Sequence, residues 1–383
     1  MSHLRWDFVF QRPQHLLLRA ARTHRVLFFE EPVFSSSDEG TPRLDLRPTP
    51  HGVTVATPVL PHGMDEVAVD AAQRALLDDL LRSPDGADGV AVAWYYTPMA
   101  LGFSGHIRPA VTVYDCMDEL SGFRGASPRL QLLERQLIRR ADVVFAGGRS
   151  LYEAKRALHS HVHLFPSGVD TAHFGQARTP GMRGAECPDQ ADLPRPRLGW
   201  FGVVDERLDF DLLRDMAARR PNWSFVMIGP VVKIEPESLP RLPNIHWLGM
   251  RPHTELPRYL AGWDLGLMPF ALNEATRFIS PTKTPEYLAA GVPVVSTPVA
   301  DVVADWSSDG LVSVAADADG LVAAAEAAMA RAPGAWMPRA DLRLARISWD
   351  GTWARMAELL AQATARRRIT ESHDAASTAV SHV

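Results

Sequence analysis

Several residue types and patterns are scarce or missing in this sequence of 383 residues. Cys116 and Cys187 are the only cysteines, which is too few for a disulfide framework or a cysteine-based zinc site. No apolar run approaches the roughly 18 residues that a membrane-spanning helix requires, and the sequence as given carries no signal-peptide pattern. We therefore expect a cytoplasmic protein, with peripheral contact to a membrane left open.

Charge of one sign does not dominate the chain either. Its 40 basic and 45 acidic residues give a formal net charge of −5. We expect no nucleic-acid partner, because such partners are attracted by a strongly basic field. Two arginine clusters, Arg135/Arg139/Arg140 and residues 366–368, can be interpreted either as contacts to an anionic membrane or as solvated faces.

Apolar runs alternate with helical patterns through most of the chain, which predicts parallel α/β sheets. Residues 175–196 are rich in glycine and proline and have no periodicity, so they are predicted to form a linker. We expect two doubly wound α/β domains with a cleft between them, at residues 1–174 and 197–345. The predicted strands cover residues 26–29, 53–57, 90–94, 112–114, 143–146, 163–165, 197–201, 224–228, 245–248, 265–268, 294–296 and 311–314.

The stretch SPTKTPEYLAAGVPVVSTP, residues 280–298, predicts a helix followed by a buried strand. Ser280 is the expected N-cap and Gly291 the expected C-terminal stop. Lys283 then stands in the first turn, where a cation opposes the helix dipole at a cost of roughly 0.3–1 kcal/mol. A lysine at this position is therefore unfavourable unless another interaction compensates its charge.

An anion bound at the helix start would account for Lys283, because free N–H groups there already favour a phosphate. Only Lys155, Lys233 and Lys283 are lysines among the 40 basic residues, and a lysine retained among arginines can mark a need for a compact charge. Glu286 shares a helix face with Lys283, and a carboxylate suits a sugar diol. These residues fit a nucleoside diphosphate, and a solvated ion pair is the alternative.

Several motifs in the second half occur in the order typical of one family. They are FPSGVDTAHF at 165–174, LGWFGVVDERLDFDLL at 198–213, NIHWLGMRPHTELPRYLAGWDLGLMPF at 244–270, and EYLAAGVPVVST at 286–297. Together they resemble the GT-B glycosyltransferases of the "glycosyl transferases group 1" superfamily. The resemblance implies two Rossmann-like domains facing across a cleft, with a C-terminal helix at 346–365 crossing back to the first domain. The polar tail, 366–383, is expected to be disordered.

The resemblance also assigns expected roles to individual positions on the donor side. Glu286 is expected to hold the ribose hydroxyls of a nucleotide-diphosphate sugar. The remaining donor-side assignments are the nucleobase edge at Met250 and Arg251, and the diphosphate contacts at Gly202, Arg207, Ser280, Thr282 and Lys283. Phe278 replaces the first glutamate of the family's E-x7-E motif, and Asn273 or Glu274 is the candidate substitute.

Transfer of a sugar requires that the leaving diphosphate be stabilised as its negative charge grows. Lys283, Arg207 and the loop at 280–282 can supply that charge, so we expect a metal-independent hexosyl transfer that needs no cofactor besides the nucleotide sugar. The Asp209-Phe210-Asp211 triplet looks like a D-x-D metal motif, but acidic residues are favoured at a helix start in any case.

The acceptor side rests on fewer signals. Asp115 and Asp118 follow a strand of the first domain and are candidates for a general base, although Asp118 could instead cap a helix. His15 lies in the first helix and faces the cleft if the family's arrangement holds, or it is structural. By family analogy, the acceptor is a sugar or a lipid-linked hydroxyl in cell-surface polysaccharide or glycolipid synthesis.

Two alternatives to a glycosyltransferase remain open at this point. One is a bilobal protein that binds a sugar or a nucleotide without catalysis, and the other is a nucleotide-sugar epimerase with the GT-B fold. A nicotinamide dehydrogenase is excluded because no G-x-G-x-x-G follows a first strand. The family places an apolar strand before the loop that starts at Ser2, so we expect that the natural chain begins roughly ten residues upstream, and that without this strand the N-terminal sheet has a gap.

Overall fold

The computed structural model describes residues 1–35, 40–83, 89–123, 125–183 and 187–380. Its strands are β1 Val26–Phe29, β2 Val33–Ser35, β3 Arg43–Pro48, β4 Val53–Pro61, β5 Val92–Tyr95, β6 Val111–Cys116, β7 Val143–Ala146, β8 Val162–Leu164, β9 Arg197–Phe201, β10 Ser224–Ile228, β11 Ile245–Gly249, β12 Leu265–Met268, β13 Val294–Ser296 and β14 Val312–Val314. Its helices are α1 Arg12–Ala20, α2 Glu66–Arg82, α3 Leu101–Ser104, α4 Arg129–Arg140, α5 Arg149–Lys155, α6 Thr171–Gly175, α7 Pro180–Arg183, α8 Pro188–Ala191, α9 Phe210–Arg219, α10 Leu256–Ala261, α11 Lys283–Ala289, α12 Ala300–Val302, α13 Ala318–Ala330, α14 Met337–Leu344 and α15 Trp349–Val380.

The C-terminal domain is built on a parallel sheet of six strands in the order β11-β10-β9-β12-β13-β14. The central strands β9, β10, β12 and β13 are mainly apolar and are buried along their whole length, as expected for a parallel sheet covered on both faces by helices. Leu198, Val226 and Leu267 at its centre are 0% exposed. The strand order reverses direction beside β9, and the carboxyl ends on either side of such a reversal form a crevice suited to a ligand.

The N-terminal domain holds two sheets instead of one. β1, β4 and β2 pair in parallel, with β3 antiparallel to β4, while β5 to β8 form a separate parallel sheet. Met1 and Ser2 lie between the facing edges of β1 and β5. The Met1 ammonium donates to the Trp94 carbonyl at 2.8 Å, and the Ser2 N–H donates to the Phe29 carbonyl at 2.9 Å. The sheet is therefore interrupted between β1 and β5, and the first two residues bridge one end of the interruption.

The segment predicted as a linker folds onto the C-terminal domain. Helices α7 and α8 lie within it, and residues 184–186 are outside the described part of the chain. Ala177 and Cys187 belong to the core of the C-terminal domain. The buried Gln190 amide donates to the Tyr259 carbonyl at 2.9 Å and accepts from the Trp263 indole at 3.1 Å. These helices are too short to show a periodic apolar pattern, so the sequence alone does not predict them.

Helix α15 leaves the C-terminal domain and packs on the N-terminal domain. Trp349 and Met356 join the N-terminal core, and the rings of Trp353 and Trp94 lie 6.2 Å apart. The sequence predicted a disordered tail from residue 366, but the helix continues to Val380, and residues 381–383 lie outside the described part. Among the described helices, none is both long and apolar enough to cross a membrane.

Candidate active site

A cavity of about 130 Å³ lies where the two domains meet, at the carboxyl ends of strands from both sheets. The N-terminal domain contributes Gln11, Met117, Asp118, Gly147 and Ser167, and the C-terminal domain contributes Trp200, Val203, Arg207, Leu208, Phe270, Ile279, Ser280, Pro281, Thr282 and Lys283. Five residues predicted from the sequence therefore line one cavity: Asp118, Arg207, Ser280, Thr282 and Lys283. They come from three separate segments of the chain, at residue 118, residue 207 and residues 280–283, which parallel strands bring together at their carboxyl ends.

Lys283 is the first residue of α11, and its ammonium points into the cavity. Helix α11 starts at Lys283, with Thr282 as an N-cap that makes no side-chain capping bond, so the prediction that Ser280 caps the helix is wrong. The Lys283 ammonium donates to Thr282 Oγ1 at 3.3 Å and lies 5.3 Å from the centre of the Phe201 ring. Burial lowers the pKa of Lys283, the nearby charge of Glu286 opposes this effect, and Arg207 adds to it. Because no carboxylate of the described chain lies at ion-pair distance, the ammonium is suited to a bound anion.

Glu286 lies one turn along the same face of α11 and is close enough to act on Lys283. Burial raises the pKa of Glu286 to about 7, against the opposing effects of Lys283 and Thr282. Its Oε2 is buried and has no hydrogen-bond partner. A buried carboxylate oxygen without a donor costs free energy unless a ligand supplies one. Glu286 is not one of the residues that line the cavity, and it lies behind Lys283 on the same helix.

Arg207 lines the cavity, but its charge is not free. Its guanidinium pairs with both oxygens of Asp205, at 2.7–3.1 Å. The opposite face of the guanidinium lies over the ring of Phe123, 5.7 Å from the ring centre. Phe123 belongs to the N-terminal domain, so Arg207 is held between its own loop and the opposite domain. Its contribution to binding an anion is therefore partly offset by Asp205.

Gly202 supports Lys283 by leaving room for it. This glycine has φ +149°, a backbone conformation that residues with a Cβ rarely adopt. A Cβ at this position would lie 3.0 Å from Lys283 Cε and 3.2 Å from Trp200 Cζ2. The sequence predicted Gly202 at the diphosphate, and the structure gives it this steric role next to the cavity.

The two aspartates after β6 have different environments. Asp118 lines the cavity, and burial raises its pKa to about 6, with Arg207 and Arg12 opposing the effect. Glu119, and not Asp118, occupies the N-cap position of the helical turn that follows, and it makes no side-chain capping bond, so Asp118 does not have the alternative role of a helix cap. Asp115 is 0% exposed and accepts from Arg12 at 2.8 and 3.0 Å. The prediction of Asp115 as a general base is therefore corrected: it holds a buried ion pair.

His15 does not reach the cavity, which corrects its assignment as a catalytic residue. Its ring stacks on Trp349 at 4.4 Å and meets the edge of Phe10 at 4.6 Å. Burial is the main reason that its pKa falls to about 3, so the ring is neutral at ordinary pH. The aromatic seam around His15 joins α1 to the beginning of α15.

The remaining predicted donor residues lie outside the cavity. Met250 is 48% exposed, and Arg251 pairs with Asp189 and Tyr259. Asn273 closes a turn with Thr276, while Glu274 lines two other depressions in the surface. Within the described chain these four side chains, Met250, Arg251, Asn273 and Glu274, do not line the same cavity as Lys283.

The sequence did not single out Gln11, Ser167 or Trp200 as cavity residues. Trp200 stands in a predicted buried strand, so its pattern favoured a core position. Its indole N–H is indeed buried, yet it has no hydrogen-bond partner. Whether a buried N–H lacks a partner depends on the neighbouring strands and loops, so the sequence pattern alone could not indicate it.

The cavity is enclosed by direct contacts between the domains. Asp301 of the C-terminal domain accepts from the backbone N–H groups of Arg149 and Ser150 at 2.8 and 2.9 Å. These N–H groups begin α5 of the N-terminal domain. A Cβ on Gly148 would come within 2.6 Å of Ser280 Cβ, so the two loops approach as closely as glycine permits.

Comparison with known proteins shows what the C-terminal domain is similar to. Residues 195–331 match the model of the family described as "Glycosyl transferases group 1". The chain is also 30% identical over 244 residues to a putative teichuronic acid biosynthesis glycosyltransferase of Bacillus subtilis (strain 168). That match covers 58% of this chain and 59% of the relative, so it spans less than two thirds of the relative's length.

Solved structures resemble the whole chain. Sucrose-phosphate synthase from Thermosynechococcus elongatus is similar with a TM-score of 0.67, at 15% identity over 92% of both chains. The trehalose-6-phosphate protein of E. coli bound with UDP-2-fluoro glucose gives a TM-score of 0.68, at 14% identity over 92% of this chain and 98% of that one. Anabaena HepE in complex with UDP and glucose gives 0.62, at 15% identity over 81% of this chain and 87% of that one. These similarities show that the chain has the GT-B fold predicted from its motifs.

Proposed function

Because residues 195–331 belong to the glycosyl transferases group 1 family within a GT-B fold, we propose that the protein is a glycosyltransferase. It moves a hexosyl group from a nucleotide-diphosphate sugar to a hydroxyl of an acceptor. The observation that carries this proposal is Lys283, a buried ammonium without a carboxylate at ion-pair distance in the described chain, lining a cavity between the domains. Diphosphate is a ligand that would compensate it.

The cavity residues divide into groups that serve the donor and a group that serves the acceptor. Lys283 and the loop at 280–282 face the diphosphate, and Glu286 accepts from the ribose hydroxyls one turn further along α11. Arg207 adds a cation that Asp205 keeps in place. As the bond from the sugar to the diphosphate breaks, negative charge grows on the leaving oxygens, and positioned cations stabilise that charge directly.

Asp118 is the candidate general base for the acceptor hydroxyl. It comes from the N-terminal domain and faces the donor side across the cavity. With a pKa raised to about 6, its carboxylate is a stronger base than an ordinary aspartate and is still mostly ionised at neutral pH. A base with these properties suits the removal of a proton from a hydroxyl.

We further propose that transfer does not require a divalent cation. Lys283 and Arg207 already supply positive charge at the cavity, and Asp118 is the one carboxylate among its lining residues in the described chain. Asp209, in the D-x-D triplet, accepts from the Leu212 N–H at 2.8 Å and caps α9. Turnover is expected to persist in EDTA, and a loss that Mg²⁺ or Mn²⁺ restores would contradict this part of the proposal.

The acceptor is proposed to be a sugar or a lipid-linked hydroxyl in the synthesis of a cell-surface polysaccharide or glycolipid. The relative from Bacillus subtilis supports this class through its name. Peripheral contact with a membrane is part of the same proposal, and the exposed face of α4, with Leu132 at 56% exposure, supports it. Sedimentation with anionic vesicles compared with neutral vesicles tests the membrane contact.

The test of the main proposal is incubation of the full chain with a panel of nucleotide sugars, with and without sugar and lipid-linked acceptors. Release of the nucleoside diphosphate that depends on an acceptor, together with a new glycoside, is the expected result. Binding without turnover would favour the non-catalytic binding protein, and isomerisation of the donor sugar would favour the epimerase.

A further inference from the structure

The wall of the cavity contains a polar atom to which no role has been assigned. The Trp200 indole N–H is buried without a hydrogen-bond partner, and the residue itself is only 3% exposed. Two other tryptophan N–H groups of this domain are satisfied within the protein: Trp247 donates to the Pro240 carbonyl at 3.0 Å, and Trp263 donates to Gln190 at 3.1 Å. A buried N–H without a partner costs about 1–3 kcal/mol, which makes the exception at Trp200 informative.

Trp200 lies beside Lys283, with Gly202 between them. The position that a Cβ on Gly202 would occupy is 3.2 Å from Trp200 Cζ2 and 3.5 Å from Lys283 Nζ. The Cζ2 atom belongs to the same edge of the indole as its N–H. The unpaired indole N–H and the Lys283 ammonium, whose bond to Thr282 Oγ1 is long at 3.3 Å, therefore belong to side chains that both border the space beside Gly202.

The ring of Trp200 is fixed and does not swing freely. It stands in β9, in the centre of the six-stranded sheet, and meets the face of Phe270 edge-on at 5.3 Å between ring centres. Phe270 also lines the cavity. A donor on a side chain that is buried in a central strand and packed against another ring loses little conformational entropy when it binds, which favours a strong contribution to affinity.

We propose that the Trp200 indole N–H donates a hydrogen bond to an oxyanion of the donor diphosphate, as a partner of Lys283. This inference rests on the proposed function, because it needs a diphosphate in the cavity. It adds a residue that neither the motifs nor the family model assigns. An indole N–H can only donate, so a phosphate oxygen, which only accepts, is the matching group.

The experiment compares Trp200→Phe with Trp247→Phe as the matched control. Both variants remove an indole N–H and keep an aromatic ring, but Trp247 bonds to Pro240 and lies outside the cavity. Calorimetry measures the dissociation constants of uridine diphosphate, uridine and inorganic pyrophosphate. For Trp200→Phe, uridine diphosphate and pyrophosphate are expected to bind about 10-fold more weakly, as loss of a hydrogen bond to a charged group implies, while uridine is unchanged.

A second measurement keeps the proposal falsifiable if Trp200→Phe folds poorly. In the wild-type protein labelled with ¹⁵N, one indole N–H resonance should shift downfield when uridine diphosphate or pyrophosphate is added. Trp247→Phe should retain that resonance, and a folded Trp200→Phe should lack it.

The outcomes separate this inference from the function on which it rests. If the wild-type protein binds no nucleoside diphosphate of any base, the proposed function fails and this inference fails with it. If the wild type binds and Trp200→Phe binds equally well, or if no indole resonance shifts, only the inference about Trp200 is overturned. Equal weakening of uridine alone and of uridine diphosphate would move the contact from the phosphate to the nucleoside and would also overturn it.

Discussion

The lysines of this protein differ in how their charges are compensated. The Lys283 ammonium has no carboxylate at ion-pair distance in the described chain, whereas Lys155 is buried and pairs with Glu119 at 2.7 Å and Glu134 at 2.8 Å. An uncompensated buried charge destabilises the free protein, and a group that binds ligand commonly has this cost. The same residue type therefore has opposite effects on stability at the two positions.

Lys283→Met is accordingly expected to raise the free energy of unfolding of the free protein by roughly 0.5–2 kcal/mol. It should also weaken nucleoside diphosphate binding by about 10-fold or more. Lys155→Met, the matched control, should lower stability by about 3–5 kcal/mol because two carboxylates lose their partner. Chemical denaturation and calorimetry measure both effects. A Lys283→Met protein that is less stable and binds normally would show that the ammonium serves the fold.

Glu286 gives the cavity a dependence on pH whose sign follows from its raised pKa. The folded-state pKa is about 7, against 4.5 for an ordinary glutamate. Between these values the unfolded chain has lost the proton while the folded protein keeps it, so the unfolded state binds fewer protons and stability falls as pH rises. The contribution is fully present below pH 4.5 and is lost as pH rises through about 7.

Glu286→Gln should remove this dependence. The variant is expected to gain thermal stability over the wild type at pH 8 and to gain little at pH 4.5, measured without ligand by melting temperature. It should also bind nucleotide more weakly, because an amide is a poorer acceptor for ribose hydroxyls than a carboxylate. If the difference in melting temperature between wild type and variant does not change with pH, Glu286 is not the buried titrating group described here.

At the scale of elements, the strands formed by short apolar runs could be predicted from the sequence. Elements that are held in place by contacts with residues far away in the chain could not. The six strands of the C-terminal sheet, from β9 to β14, could be predicted because each is a short, mainly apolar run. The four central strands, β9, β10, β12 and β13, are buried along their whole length. β3 was missed because its residues, RLDLRP, are mostly exposed and polar. The helices in 175–196 were missed because single buried residues such as Gln190, and not a periodic face, anchor them.

The same distinction explains the candidate site. Lys283 and Glu286 lie on one short helix, so their spacing alone brought them together. Asp115 and Asp118 look equivalent in sequence, and only Arg12, which is 103 residues away, shows which of them is occupied by an ion pair. Trp200 and Lys283 come close together beside Gly202 only in the folded protein, so their proximity could not be predicted from the sequence either.

The contact between the start of α5 and the C-terminal domain helps to enclose the cavity. Gly148 precedes α5 and meets Ser280 and Asp301 so closely that a Cβ there requires a shift. Gly148→Ala should therefore push the domains apart, raise the Michaelis constant for the nucleotide sugar and lower kcat, with a larger radius of gyration by small-angle scattering. Gly181→Ala is the control, because no atom lies within 4 Å of its Cβ position. Unchanged kinetics and an unchanged radius for Gly148→Ala would mean that the contact does not govern closure.

At the scale of the whole molecule, α15 decides whether the two domains unfold as one unit. The chain runs from α14, which packs on α11 of the C-terminal domain, directly into α15, which packs on α1, β6 and β7 of the N-terminal domain. Met356 is fully buried in this second contact, and Asp350 pairs with Arg19 and Arg22 at its edge. The helix therefore couples the stability of the N-terminal domain to its attachment to the C-terminal domain.

Met356→Ala should cost about 2–5 kcal/mol, as large-to-small changes in a packed core do, and the loss should fall on the N-terminal domain. In differential scanning calorimetry we expect one transition for the wild type and two for Met356→Ala, with the N-terminal domain melting first. Nucleoside diphosphate should raise only the later transition, because Lys283 and Glu286 belong to the C-terminal domain and a ligand stabilises the unit that binds it. Leu342→Ala, at a side chain that is 68% exposed, should leave a single transition. A single transition in Met356→Ala that shifts as a whole with nucleotide would show that contacts around the cavity, and not α15, hold the domains together.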